Sequence, residues 1–463
     1  MSTMKIFDQV KVKKIFFIFI VALIIRVLYA WFFIDASNLT HEDQELYINL
    51  GKIMAKTGSF LQTEGPEYTA DWAISRMPGY PQFLAVVYGI FGENNMAILG
   101  VQFFIDSLTC VIIGLIAESM IARGFIVAGM VSALNLNMII LSGMILTDTL
   151  FLFLFSLFIL FSFYYIKRVK KSHLFLAIFF LSMSTLVRPV SYFLIVIILP
   201  LLIVWLLQKR MQLKQILYSV FIYLIPIAII VGPIQYRNYD KYDTFLLVSQ
   251  SGSHTLNWVV PAVYQYSGQG SYQNGLSFAK EHFESVVDKK ELLGQSKNAF
   301  EINSYQMEAA KKALFDLGLL NMAYAWTVGS VINLLSPSVV YAPFVRGMKH
   351  TSFYATPGHG AIEKIVNYIT NTGDRDYLAI LISGSIISLA FIVLSLLGLY
   401  NMLRKNVYSI RYNNMLIFSL FLIAYFLLIT GPIVGVKYRL PLEPILVIYL
   451  TYMIYRLKDN KNN

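Results

Sequence analysis

The chain has 463 residues, 57% of them hydrophobic and only 14% charged, with a mean hydropathy of +0.62. Several apolar runs reach bilayer length, which excludes a soluble enzyme and makes the chain an all-α polytopic membrane protein. The formal net charge of +11 would point to nucleic acid in a soluble protein, but here Lys and Arg fall in short gaps between apolar runs, where they act as topology signals.

In chain order, Lys5, Lys11, Lys13 and Lys14 precede an apolar stretch at 15–34. The stretch is span-length and lacks a small-residue cleavage pattern, so it reads as a retained first helix and not a signal peptide. Residues 35–93 then form a first outer loop. It opens with the acidic cluster His41-Glu42-Asp43-Gln44-Glu45-Leu46-Tyr47, in which Glu42 and Glu45 read as solvated. Leu46, Leu50, Ile53 and Met54 share one helical face of 43–57 while Gln44, Asn49, Lys52 and Lys56 point elsewhere, so this helix is expected to lie on the bilayer. After Ser75-Arg76-Met77-Pro78-Gly79-Tyr80-Pro81, a second surface helix is expected over 81–91, ended by Gly92.

Further spans are expected at 94–118, 124–142, 147–166, 173–187, 190–207, 215–235, 377–403, 412–431 and 443–456, giving about ten in all. Alternate gaps carry Arg123, Lys167-Arg168 with Lys170-Lys171, Lys209-Arg210 with Lys214, and Arg404-Lys405 with Arg411. The positive-inside bias therefore places both termini, with Arg456, Lys458 and Lys461, in the cytoplasm. Residues 317–341 are apolar enough to insert, yet counting them as a span would invert every later loop. With Pro337 and Pro343 they read as an interfacial or re-entrant segment, the floor of a large outer loop over 237–376. No internal repeat divides the chain, so 1–463 reads as one membrane domain.

The ionisable residues left over after topology lie on the outer side. Asp43 can serve as a general base that takes the proton of an attacking acceptor; Thr40-x-x-Asp43 before an apolar-periodic run is also a capping box, and the spacing favours the cap. Asp148 stands at the outer end of an otherwise uncharged span, where a carboxylate is either functional or simply favoured by the helix dipole. Arg76, Arg188, Arg237, Lys437 and Arg439 form the basic side, which the positive-inside bias does not explain. An arginine fork matches phosphate oxygens, while snorkelling to headgroups accounts for one or two of these cations. The single cysteine, Cys110, rules out a disulfide framework, and the six histidines show no metal-binding spacing, so no metal centre is expected. No Walker loop is present, so direct use of ATP is not expected.

Taken in order, Asp43-x-x-x-Tyr47, Arg76-x-Pro78-Gly79-Tyr80-Pro81, Phe91-Gly92, Leu146-Thr147-Asp148-Thr149-Leu150, Leu186-Val187-Arg188-Pro189, Tyr236-Arg237-Asn238-Tyr239 and Lys437-Tyr438-Arg439-Leu440-Pro441-Leu442-Glu443-Pro444 resemble the GT-C membrane glycosyltransferases. The likeness is to the bacterial group of family 39-like protein-mannosyl-, aminoarabinose- and galacturonosyltransferases. It implies a GT-C-like bundle of about ten transmembrane helices with two outer juxtamembrane helices and a large outer loop. It implies a polyprenyl-phosphate sugar as donor, a glycan, lipid or protein as acceptor, and inverting transfer at the outer face of the bacterial cytoplasmic membrane. No cofactor is implied beyond the lipid-phosphate substrate, a divalent metal remaining compatible. In residue terms, Asp43 matches the catalytic acidic position, which implies a general base, and Asp148 the second acidic one. Arg76, Arg237, Lys437, Tyr438 and Arg439 become donor-phosphate ligands, with Tyr47, Tyr80 and Arg188 as further site candidates. Aminoarabinose transferases carry an arginine before the tyrosine of the first motif, whereas this chain has Leu46, a departure that bears on aminoarabinose and lipid A specificity. The rival readings are a polysaccharide polymerase, a lipid-linked sugar flippase or a transporter. The clustering of ionisable residues at one face speaks against the last.

Overall fold

The computed structural model describes residues 2–35, 42–59, 73–289, 298–404 and 410–462, and among these there is no strand. The helices are α1 (Ser2–Phe33), α2 (Glu42–Thr57), α3 (Gly79–Phe91), α4 (Asn95–Met120), α5 (Gly124–Ala133), α6 (Leu136–Ser142), α7 (Asp148–Arg168), α8 (Lys171–Val187), α9 (Tyr192–Gln208), α10 (Leu213–Ile230), α11 (Gly232–Tyr242), α12 (Ser251–His254), α13 (Val260–Tyr266), α14 (Tyr272–Lys289), α15 (Ala299–Leu317), α16 (Leu319–Leu335), α17 (Pro343–Arg346), α18 (Ala361–Asn371), α19 (Arg375–Arg404), α20 (Ile410–Thr430) and α21 (Glu443–Asn462). Among the described residues, eight helices are long and apolar enough to cross a membrane, or up to ten if each of two bent pairs counts as one span. This is the polytopic all-α architecture expected from composition.

The expected span at 124–142 is broken. α5 and α6 meet at 52°, because Asn135 leaves the helical conformation and its side chain caps α6 by accepting from the amides of Asn137 and Met138. The expected short span at 173–187 is the 17-residue α8, packed between α7 and α10.

Contacts sort the connecting segments into two ends. One end gathers Asp43, Arg76, Asp148, Arg188 and Lys437. At the other, Tyr455 reaches the carbonyl of Arg123 and Lys171 reaches that of Gln215, among the basic residues assigned to topology. Residues buried around α1, α4 to α8 and α21 form the main core. A second cluster, built from α13 to α16 and Ile433-Val434, covers the Asp43 end.

The segment expected to be interfacial is α16. It meets α15 at 102°, and its contacts with later spans fall at the Asp43 end. Trp326 Nε1 donates to Leu428 O at 3.0 Å, and Asn333 Nδ2 to Ile433 O at 2.8 Å. Its buried side packs against the second cluster while Leu319 and Leu320 stay exposed, and with α15 it makes one of the two bent pairs.

One expectation fails. Half of the α2 stripe faces protein: Leu46 and Leu50 are buried, with Ile48 beside them, while Ile53 and Met54 are half-buried, and α2 crosses α3 so closely that a Cβ on Gly51 would stand 2.6 Å from Leu84 Cβ. Gln44, assigned to the opposite side, is buried too, its Oε1 accepting from the amide of Ile145 at 2.8 Å. Burying apolar area against protein satisfies the stripe as well as lipid would, and the amide bond fixes α2 onto the segment between α6 and α7. α3 behaves as expected: Gly92 at φ 71 ends it in the left-handed region that glycine enters without strain, and Val86, Ile90 and Phe91 are exposed.

Candidate functional site

Three ion pairs, centred on two carboxylates from distant parts of the chain, form the candidate site. Asp43, in the first turn of α2, lies 3.6 Å from Arg76 Nη2 through Oδ1 and 3.7 Å from Lys437 Nζ through Oδ2. These are loose pairs, beyond hydrogen-bond length, and Asp43 is half-exposed. Arg76 is held by the turn before α3, where Ile74 O accepts from the amide of Ser249 at 3.1 Å. Asp148, in the first turn of α7 and 2% exposed, binds Arg188 Nη1 at 2.5 Å. Arg188 follows the last residue of α8, and Pro189 then opens the next helix.

Aromatic residues join the two pairs. Tyr47, one helical turn after Asp43, lies edge-on to Tyr80 at 5.3 Å between ring centres. Burial raises the pKa of its phenol, with Arg76, Arg188 and Lys437 pulling the other way. Tyr80 donates to Gln102 Oε1 at 2.6 Å, and Gln102 Nε2 donates in turn to the carbonyls of Ser142 and Met144, so the end of the broken span positions the ring. Tyr438 interacts electrostatically with Arg188 and Lys437. Burial works against the Arg188 charge, but Asp148, Tyr438 and Tyr47 outweigh it and raise its pKa. Lys437 feels both carboxylates, Asp43 and Asp148. Three cations therefore face two carboxylates, which leaves one net positive charge for an anionic ligand.

Two cations singled out in the sequence are engaged elsewhere. Arg439 is buried and donates from Nε to Glu443 Oε1 at 2.9 Å and from Nη1 to Leu334 O at 2.7 Å. Glu443, fully buried, also accepts from Asn135 at 2.7 Å and Asn137 at 2.9 Å. Arg439 thus ties α21 to α16 and to the break between α5 and α6. Arg237 turns to Asn238 Oδ1 at 3.0 and 2.8 Å. The capping partner Thr40 and the neighbouring His41 lie outside the described residues.

Sequence reasoning missed two neighbours of the site, His254 and Tyr341, and the role of Glu443 in engaging Arg439. His254, at the end of α12, has its pKa pulled down from 6.5 to about 4 by burial and by Lys437 and Arg76. Tyr341 interacts with Lys437, Tyr438 and both carboxylates. Glu443 carried a signal, a carboxylate at the head of an apolar run; His254 and Tyr341 carried none. Among the described residues, no three His, Cys, Asp or Glu side chains are grouped to hold a metal ion.

No protein-family model matches the chain, and no curated protein matches it. Among solved structures, the archaeal oligosaccharyltransferase AglB from Archaeoglobus fulgidus, in complex with an inhibitory peptide and a dolichol-phosphate, matches with TM-score 0.53 and 11% identity over 97% of this chain and 50% of AglB. This chain has a GT-C-like fold. AglB tethered with an acceptor peptide containing the NVT sequon gives TM-score 0.53 and 12% identity over 97% of this chain and 50% of that one. Apo ArnT from Cupriavidus metallidurans matches with TM-score 0.40 and 12% identity, over 95% of this chain and 75% of that chain. The GT-C-like chain spans about half the length of AglB.

Proposed function

We propose that the chain is a glycosyltransferase that moves a hexosyl or pentosyl group from a polyprenyl-phosphate donor to an envelope acceptor (a glycan, lipid or protein) at the outer face of the bacterial cytoplasmic membrane. The observation that carries this reading is the convergence of Asp43 with Arg76 and Lys437, next to Asp148–Arg188, at the end opposite the basic topology residues. The AglB structures hold a dolichol-phosphate or an acceptor peptide, which makes a lipid-phosphate donor the first class to test. In this reading Asp43 takes the acceptor's proton as its oxygen or nitrogen bonds the anomeric carbon from the face opposite the phosphate. The bond from the anomeric carbon to the phosphate oxygen breaks, its electron pair leaves on polyprenyl phosphate, and the sugar is inverted. Arg76 and Lys437, with Tyr438 beside them, stabilise the charge that develops on that phosphate. Asp148 holds Arg188 beside Tyr47 and Tyr438. Arg237 and Arg439 act at a distance, as supports of the surrounding helices.

The test is transfer from labelled polyprenyl-phosphate sugars by the full chain reconstituted in vesicles. Asp43→Asn is expected to abolish transfer while the donor still binds, and Arg76→Ala or Lys437→Ala to raise the donor KM by about 10-fold or more, from loss of a charge-assisted contact. Undiminished transfer by Asp43→Asn removes it as the base. Passage of the labelled lipid across the bilayer with no new glycosidic bond would favour the flippase reading.

A further inference from the structure

The end of the bundle opposite the candidate active site carries a second cluster of cations, which the transfer mechanism does not use. We propose that this cluster is a binding site for the phosphate headgroup of an anionic phospholipid. A cleft of about 410 Å³ opens there between the last turns of α4 and α7 and the first turn of α20, lined by Ser119, Lys167, Arg168, Arg411, Tyr412 and Met415. Its size falls within the range of small-ligand sites, roughly 300–1,000 Å³. α7 runs from Asp148 to Arg168, so its 1.5 Å rise per residue puts this cleft about 30 Å from the Asp148 pair.

Topology alone accounts for basic residues at this end, but not for their convergence. Lys167 and Arg168 close α7, where the helix dipole favours cations. Arg411 stands in the first turn of α20, where the dipole disfavours a cation and favours an anion. Tyr412 and Met415 are buried as the floor, Lys167 is half-buried, and Arg168 and Arg411 are exposed. Lys167 interacts with Arg168 as a like charge and with Glu118 as the nearby carboxylate. Three cations against that one carboxylate leave two net positive charges at the rim of a cleft between spanning helices. A phosphate would relieve the repulsion, accept from the guanidinium forks and meet the amide end of α20. Basic pockets between spanning helices bind phospholipid headgroups in this way. Ile410, next to Arg411, and Ile417, nearly two turns further along α20, are exposed and supply apolar surface for acyl chains, which favours a lipid over free phosphate.

The experiment uses the full chain in detergent, titrated with phosphatidylglycerol or phosphatidylcholine and read by native mass spectrometry, with inorganic phosphate as competitor. Phosphatidylglycerol is expected to be retained at least 10-fold over phosphatidylcholine. Arg411→Gln should lose most of that preference, Arg411→Lys should keep part of it, and neither should lower the Tm in phosphatidylcholine. The proposal is overturned if the two lipids are retained equally, if Arg411→Gln retains phosphatidylglycerol as the unchanged chain does, or if inorganic phosphate displaces the lipid at equal concentration, which would mark a free-phosphate site. Because Arg411 lies far from Asp43, failure here leaves the glycosyltransferase reading untouched.

Discussion

At the scale of single residues, the site depends on which charge each cation meets. Arg76, Arg188, Lys437 and Arg439 look alike in sequence, but only the first three face Asp43 or Asp148, while Arg439 neutralises the buried Glu443. A buried pair of that kind supports the structure, because removing one partner strands the other without solvent. His254 gives a residue-scale prediction. Its pKa in the fold is about 4 against an ordinary 6.5, so between these values the unfolded chain binds a proton that the folded chain does not. The histidine therefore contributes stability that is present above pH 6.5 and lost as the pH falls toward 4. Thermal unfolding of the chain in detergent should show Tm falling over that window. His254→Asn should flatten the fall; an unchanged slope in the variant would show that another group titrates there.

At the scale of elements, the helices that cover the Asp43 end are organised around a lysine inside an aromatic cage. Lys364, on α18, is 1% exposed, donates to Gln265 Oε1 at 2.5 Å and lies 4.7 Å from the ring centre of Phe353 and 5.5 to 5.8 Å from those of Tyr266, Tyr272 and Tyr354. Burial pulls its pKa from 10.5 to about 7, while the negative faces of the rings favour the ammonium. Tyr354 donates in turn to Val434 O, three residues before Lys437, so the cage braces the segment that carries the site lysine. Lys364→Ala removes a buried side chain and leaves Gln265 Oε1 unpaired, at a cost of about 2–4 kcal/mol. The expected result is a lower Tm and faster proteolysis within 347–360; equal resistance to protease would show that the cage is dispensable.

At the scale of the whole molecule, an ion pair deep in the bundle joins its first helix to the rest. Arg26 on α1 meets Asp106 on α4 at 2.7 Å through Nε and 2.6 Å through Nη2, and donates to Ala133 O on α5 at 2.9 Å. Cys110 Sγ accepts from Nη2 at 3.3 Å. Both charged residues are buried, so each depends on the other for solvation. Arg26→Leu is expected to cost about 3–5 kcal/mol, read as a loss of folded protein on heating in detergent. The double replacement Arg26→Leu with Asp106→Leu should recover part of that loss. If it recovers nothing, the pair does not act as a unit.

The sequence by itself determined what depends on length and local pattern. Apolar runs such as 94–118 and 412–431 place the spans because burying some twenty apolar residues in lipid outweighs every local alternative, and Gly92 stops α3 through its own backbone freedom. It also marked Asp43, Asp148, Arg76, Arg188, Arg237, Lys437 and Arg439 as out of place for topology, without separating the cations that meet a site carboxylate from those that do not. Only the tertiary structure decided their partners, because residues 43, 76 and 437 are brought together by helices that cross far apart in sequence, and a charge pair is worth its energy only at a few ångströms. The same reason hid the burial of Gln44, the pairing of Arg439 with Glu443, the approach of His254 to Lys437 and the cage around Lys364. Each is set by what a side chain meets across an interface between elements, which no periodicity along the chain records.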